Sequence, residues 1–148
     1  MTTADAAAVR AATYLFDHET RPEWVTRFLT RPGHHLCIAY VDGEPVGFVS
    51  AVEMDHPDKG TEMFLYELGV DDGFQRRGIG GALVAALADL ARDRGCYGMW
   101  VLTDSDNTAA VRTYQSTGAT DLREHALLTW RFKEDQFDQD DDDGPDDV

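Results

Sequence analysis

The apolar positions of this chain change period several times, and each change marks an element. Over residues 4–16, ADAAAVRAATYLF, the positions Ala8, Val9, Ala12, Leu15 and Phe16 recur at helical spacing. The stretch TRPEWVTRFL opens a second helix, with Trp24, Val25, Phe28 and Leu29 on one face and Pro22 in the first turn, where a missing N–H costs nothing. Thr20 and Glu23 have the form of a capping box at its start. Two β-rich runs follow, HLCIAYV and EPVGFVSAVEM, joined at Asp42-Gly43, a strong hairpin signal. After the polar loop MDHPDKGT, the run EMFLYELGV is apolar on both faces, as a central strand would be. From Ile79 the period returns to helical through Leu83, Leu87 and Leu90, and Arg92 and Arg94 before Gly95 suit a helix C-terminus. YGMWVL reads as a strand, DSDNTAAVRTYQSTG as a capped helix ending at Gly118, and HALLTWRF as a final strand. This order predicts a single α/β (α+β) domain built on one central sheet over residues 1–133.

Composition refines the picture. The 148 residues suffice for one core, and the formal charge of −15 excludes a nucleic-acid binder, which needs a basic face. Residues 134–148, EDQFDQDDDDGPDDV, hold nine of the 28 acids and no base, and are expected to form a solvated, disordered tail or a partner-binding element. Lysine is confined to Lys59 and Lys133, a balance that would suit a cytoplasm of high salt. No apolar run approaches the roughly 18 residues of a membrane span, and MTTADAAAVRAA lacks the regions of a secretory leader, so a soluble cytoplasmic protein with no membrane partner is expected. Cys37 and Cys96 lack metal-ligand spacing and read as reduced thiols near the core, and no metal is expected.

The stretch GVDDGFQRRGIGGAL, residues 69–83, carries the chemistry. A glycine-rich turn between a strand and a helix start combines unpaired N–H groups with the positive end of the helix dipole, which suits phosphate. A P-loop would need Gly-Lys followed by Ser or Thr, and none is present. A dinucleotide fingerprint would need Gly or Ala where Leu83 stands, and an acidic ribose ligand after a second strand. What remains is Gln75-Arg76-Arg77-Gly78-Ile79-Gly80, directly after a strand ending in Val70.

That pattern resembles the signature of the GCN5-related N-acetyltransferases (GNAT): Gln or Arg, two variable residues, Gly, one variable residue, then Gly or Ala. A second motif of the family, Asn, Ala, Tyr and Gly on a later helix, is matched at Asn107, Ala110, Tyr114 and Gly118. The resemblance covers residues 4 to 133 or so and implies a mixed, mostly antiparallel sheet flanked by helices, with two central strands splayed to admit acetyl-CoA. It implies that backbone groups of Arg76, Arg77, Gly78, Ile79, Gly80 and Gly81, after Gln75, hold the pyrophosphate, and that the pantetheine chain runs along Leu68, Gly69 and Val70. Departures are Asp72 where proline is frequent, Ala119 where phenylalanine is frequent, and a start so close to the first helix that the N-terminal edge strand is expected to be missing or very short.

Acetyl transfer to an amine needs a base, because an alkylamine is protonated at neutral pH. Glu67, a carboxylate in an apolar strand, is the leading base and is equally readable as a structural carboxylate; Tyr66 and Glu62 are weaker alternatives. Tyr114 matches the family's proton donor to the CoA thiolate, or is a core aromatic. Asn107 caps its helix or touches CoA. The motifs YLFD, YEL-V and AAV--Y---G also look like the aminoglycoside 3-N-acetyltransferase branch, with a departure at Asn107. Asp17, Glu19, Glu53, Asp55 and Asp58 would make the acceptor side acidic and favour a polycationic small-molecule amine, such as an aminoglycoside or polyamine. Protein amines as acceptors, a non-catalytic acyl-CoA-binding module, and a homodimer as in many family members complete the expectations.

Overall fold

The computed structural model describes residues 3–133. The strand built on EPVGFVSAVEM is the most deeply buried, from Pro45 to Ala51. β1 (His34–Val41), β2 (Glu44–His56), β3 (Gly60–Val70) and β4 (Met99–Val101) form one sheet in the order β1-β2-β3-β4. The first three are antiparallel neighbours, and β4 is parallel to β3. A parallel partner requires a crossover, which α3 (Ile79–Asp93) supplies. On one face of the sheet Val49, Ala51, Met63 and Leu65 pack under Leu83, Val84, Leu87 and Ala91 of α3. The remaining helices are α1 (Thr3–Ala11), α2 (Pro22–Thr30) and α4 (Thr108–Ser116), with 3-10 turns at Thr13–Leu15 and Asp72–Phe74.

Local chemistry explains the boundaries. Asp42 and Gly43 both adopt positive φ, as the two-residue β1–β2 turn demands. α3 ends in a Schellman motif: Gly95 at φ +81° donates to the Arg92 carbonyl and Cys96 to that of Ala91. Cys37 and Cys96 are free thiols, both raised in pKa, chiefly by burial.

Several expectations need correction. The helix over residues 4–16 ends at Ala11, and the 3-10 turn that follows presents the Tyr14 hydroxyl to the Pro45 carbonyl. Thr20 does not form a capping box with Glu23, since Arg21 is the N-cap without a side-chain bond. Thr20 instead donates its N–H to Thr13 Oγ1 at 2.9 Å, pinching the α1–α2 loop shut. The loop MDHPDKGT is mostly strand, because β2 runs to His56 and pairs Asp55 with Thr61. YGMWVL pairs only over Met99–Val101. HALLTWRF is not a strand: its residues are exposed, and β4 has no further neighbour among the described residues to take up its backbone groups. α1 begins at the first described residue, Thr3, so the expected missing or very short edge strand lies outside the described residues. The acidic tail lies outside them.

Glu53, on β2, ties three elements together. Its side chain is 9% exposed, accepts Arg94 Nε at 2.9 Å and Nη2 at 3.0 Å, and meets His35 Nε2 at 3.1 Å. The Arg94 hydrogen bonds hold its carboxyl below the usual range, against the cost of burial and with help from His35. A depressed carboxylate pKa stabilises the fold fully above the unfolded value and loses that contribution as pH falls through the folded one. Glu53→Gln should therefore lower stability at pH 7 by about 1–2 kcal/mol, allowing for the half-exposed Arg94. Thermal melts across pH should show the gap to wild type closing below about pH 4.

Candidate active site

β3 is bonded along its whole length on one side and along a short stretch on the other. Toward β2 it pairs from Gly60 to Val70, whereas toward β4 it pairs only at Met63↔Met99, Phe64↔Trp100 and Leu65↔Val101. From Tyr66 onward no strand lies beside its β4 side among the described residues. The separation begins at a β-bulge: Ser50 faces Glu67 and Ala51 faces Leu65, so Tyr66 is an extra residue on β3. A bulge bends its strand and increases local twist, which turns β3 away from β4. Asp71 donates to the Val46 carbonyl at 2.8 Å. Alternation of the antiparallel ladder then assigns the polar groups of Gly69 and Glu67 to β2 and directs the N–H groups of Leu68 and Val70 into the gap. Gly69 is required there, since a Cβ would come within 2.7 Å of the Phe48 ring.

The glycine turn sits against this gap. Asp71 Oδ1 accepts the Gly73 N–H at 3.2 Å. Gln75 Nε2 donates to the Val70 carbonyl at 3.3 Å and to Asp72 Oδ1 at 3.1 Å, so its side chain braces the turn. Arg76 adopts φ +63° and Gly78, the N-cap of α3, φ +79°. The first bond of α3 runs from Ala82 N–H to the Gly78 carbonyl, leaving the N–H groups of Ile79, Gly80 and Gly81 outside the helical ladder. A Cβ on Gly80 would meet Thr113, Leu68 and Val70 side chains at 3.7–3.8 Å, so the helix start is wedged between α4 and the splayed part of β3. Arg77 stacks over Phe74 with 5.0 Å to the ring centroid, and both arginines are exposed. Unpaired amides, a dipole end and two guanidiniums make a fit for a diphosphate.

The two titratable candidates lie on opposite faces of the sheet. Leu68 packs toward α3, so its neighbour Glu67 points to the other face. The Glu67 carboxyl is raised above its ordinary range by burial first and by Asp17 second, with His18 opposing. Tyr114 packs against the α3-side core, and burial raises its phenol, which keeps it protonated. Asn107 caps α4, its Oδ1 accepting the Ala110 N–H at 3.2 Å. Of the weaker alternatives, Glu62 accepts from the Tyr97 hydroxyl at 2.9 Å at the far end of β3, and Tyr66 is exposed.

The expected acidic acceptor wall is only partly brought together. Asp17 and Glu19 lie in the loop pinned by Thr13 and Thr20, beside Phe16, whose ring packs on Phe48 at 4.5 Å. Glu53 is consumed by Arg94 and His35, Asp55 accepts from Thr61, and Asp58 pairs with His56. These three lie toward the β2–β3 turn, Glu53 opposite Met63, Asp55 opposite Thr61 and Asp58 in the turn itself, so about 23 Å or more along β3 from Val70 at some 3.3 Å per residue. Sequence reasoning missed an aromatic row on the Glu67 face: Trp100 stacks on Phe64 at 4.3 Å, and Phe64 meets Tyr66 edge-on at 6.0 Å. The signal for the bulge was present, because buried-face positions run Met63, Leu65, then Leu68, Val70, a one-residue slip of the alternation.

Residues 4–119 match the sequence profile of the acetyltransferase (GNAT) family. The chain belongs to that family. Among relatives, the N-alpha-acetyltransferase RimI of Mycobacterium tuberculosis is 35% identical over 124 residues, covering 80% of this chain and 74% of its own. A mycothiol acetyltransferase of Rhodococcus erythropolis is 37% identical over 90 residues, which are 56% of this chain and 29% of that protein. The chain thus spans less than a third of the length of the mycothiol acetyltransferases it matches. The fold agrees with solved structures of an aminoglycoside acetyltransferase from a soil metagenomic sample in complex with sisomicin (TM-score 0.81, 19% identity, 90% and 93% of the two chains). It also agrees with AAC(6')-Iy bound to a CoA-containing bisubstrate analogue (TM-score 0.74, 22% identity, 88% and 95%). Among the described residues no helix is long and apolar enough to cross a membrane.

If the α3 start holds the diphosphate of CoA, Gly80→Asp should weaken CoA at least about tenfold, since the Cβ fits and the added carboxylate repels the ligand. Thermal shift on CoA titration reads this directly, and an equal shift in both proteins would place the phosphates elsewhere.

Proposed function

We propose that this protein transfers the acetyl group of acetyl-CoA to a primary amine by direct attack in a ternary complex. The observation that carries the reading is the gap beyond the β3 bulge, with Glu67 on one face of it and Tyr114 on the other. Acetyl-CoA supplies a thioester carbonyl and a thiolate leaving group. Glu67 takes the proton that the attacking amine must lose, a task matched to a carboxyl lifted toward neutrality by burial. The Val70 N–H, aimed into the gap, serves as donor to the carbonyl oxygen as charge develops there. Tyr114 delivers its proton to the departing sulfur.

On the acceptor side, Asp17, Glu19 and Glu67 favour a cationic amine, and the Trp100–Phe64–Tyr66 row offers aromatic faces for the apolar side of a ring. These features support a small polyamine or aminoglycoside-like acceptor. A second reading, acetylation of a protein amine, is favoured by the match to RimI over most of both chains. Release of free thiol from acetyl-CoA across aminoglycosides, polyamines, amino acids and peptides with free N-terminal or lysine amines, in low and molar KCl, separates the two. Binding of acetyl-CoA with no thiol release from any amine would instead indicate a non-catalytic acyl-CoA module.

Two substitutions test the assigned roles. In wild type, kcat/KM should rise with pH as the Glu67 carboxyl loses its proton; in Glu67→Gln that acid limb should vanish and the plateau drop by about 100-fold or more. A limb that survives the substitution unchanged assigns the base elsewhere. Tyr114→Phe should lower kcat by about 100-fold with little change in the KM for acetyl-CoA. Steady-state thiol release across pH measures both.

A further inference from the structure

In a chain whose formal charge is −15, α2 and its flanks are a local exception, with Arg21, Arg27 and Arg31 against a single acid, Glu23. Spacing gathers these charges beside aromatic rings. Trp24 with Phe28, and Arg27 with Arg31, are four residues apart and so neighbours on the helix surface. Together with His34 at the start of β1 they wall an open groove of about 330 Å³. Phe28 meets the His34 ring edge-on at 5.3 Å, and Arg21 stacks over Trp24 with 4.4 Å to the ring centroid, so the aromatic wall is held at both ends. Both Arg27 and Arg31 are exposed, and among the described residues neither is in an ion pair. The other paired guanidiniums have acids at hand: Arg92 bonds Asp89, Arg94 bonds Glu53, and Arg76 and Arg77 share the glycine turn with Asp71 and Asp72.

We propose that carboxylates of residues 138–147 of the same chain dock on Arg27 and Arg31 along this groove, in an intramolecular contact made at low salt and released at molar salt. Residues 134–148 hold nine acids and no base, and Asp138, Asp140, Asp141, Asp142 and Asp143 fall within six positions. Two guanidiniums one helical turn apart can each take a carboxylate of so dense a run, and a guanidinium grips a carboxylate through two parallel N–H bonds. Length permits the contact. Fifteen residues follow Lys133 and span up to about 50 Å, against a breadth of roughly 35 Å for a domain of this size. A tethered segment meets its site at an effective concentration of up to about millimolar, so exposed pairs that would be weak between molecules suffice within one. The screening length falls from about 10 Å at 0.1 M salt to about 3 Å at 1 M, which removes most of the attraction.

Two-dimensional NMR of backbone amides and arginine side chains in the full chain at low salt tests the contact. The Nε–H signals of Arg27 and Arg31 should move when Asp138→Asn, Asp140→Asn, Asp141→Asn, Asp142→Asn and Asp143→Asn are combined, and that variant should respond to molar KCl at these signals at least about twofold less than wild type. Reciprocally, Arg27→Gln with Arg31→Gln should move the amides of residues 138–147. Should either variant fail to fold, the salt titration of wild type decides, since release must move Arg27 and Arg31 together with the acidic run. Arginine signals that coincide in wild type and the asparagine variant overturn the proposal. So do changes confined to Ile79, Gly80 and Gly81, which would put the acids at the glycine turn, and shifts that grow with protein concentration, which would assign the contact to a second copy. The readout involves neither acetyl-CoA nor an amine, so its failure leaves the proposed activity standing.

Discussion

The unequal bonding of the two sides of β3 is the constraint on which the rest of the structure depends. β2 holds that strand from end to end, while β4 releases it after Leu65. The release exposes polar backbone groups that water or a ligand must satisfy. A strand that presents its amides without a neighbour is a template for an extended ligand, and a helix start beside it is a template for a negative one. The glycine turn brings the two templates together, because Gly80 leaves room for α3 to begin within van der Waals reach of Leu68, Val70 and Thr113. Neither template would be available if β4 continued alongside β3.

Burial then divides the chemistry between the faces. α3 covers one side of the sheet densely, so Tyr114 is pressed into an apolar environment that keeps its proton in place. The other side is covered more thinly, by the pinned α1–α2 loop and Phe16, and Glu67 is desolvated there but not sealed. The same physical effect, removal of water, raises both pKa values. It makes one group a proton holder and brings the other closer to being a useful base.

Most of the fold and the local geometry of the candidate site's turn and cap could be read from the sequence, for reasons that differ by residue. Asp42-Gly43, Gly95 and the Gln75 to Gly80 turn are legible because their backbone conformations admit few residue types. Asn107 is legible as a cap because it must satisfy a local N–H. What failed was tertiary. Thr20 has a capping residue's chemistry, yet Thr13 is nearer and claims it. Glu53 reads as part of an acidic acceptor side until Arg94 is seen to reach it across from the end of α3. The segment HALLTWRF has a strand's pattern, but a strand is a relation between two segments, and pattern alone names only one of them.

The grip of Glu53 and His35 on Arg94 has a mechanical side. α3 is clamped to β1 and β2 at its C-terminal end, while its N-terminal end carries the unpaired amides. Its 15 residues make a rod of about 22 Å with one end fixed. About that pivot a tilt of roughly 5° would carry the wedged N-terminal end about 2 Å, on the scale of one hydrogen bond made or lost. The clamp thus turns the helix into a lever whose working end is the glycine turn, and sets the stiffness with which that turn meets whatever it binds.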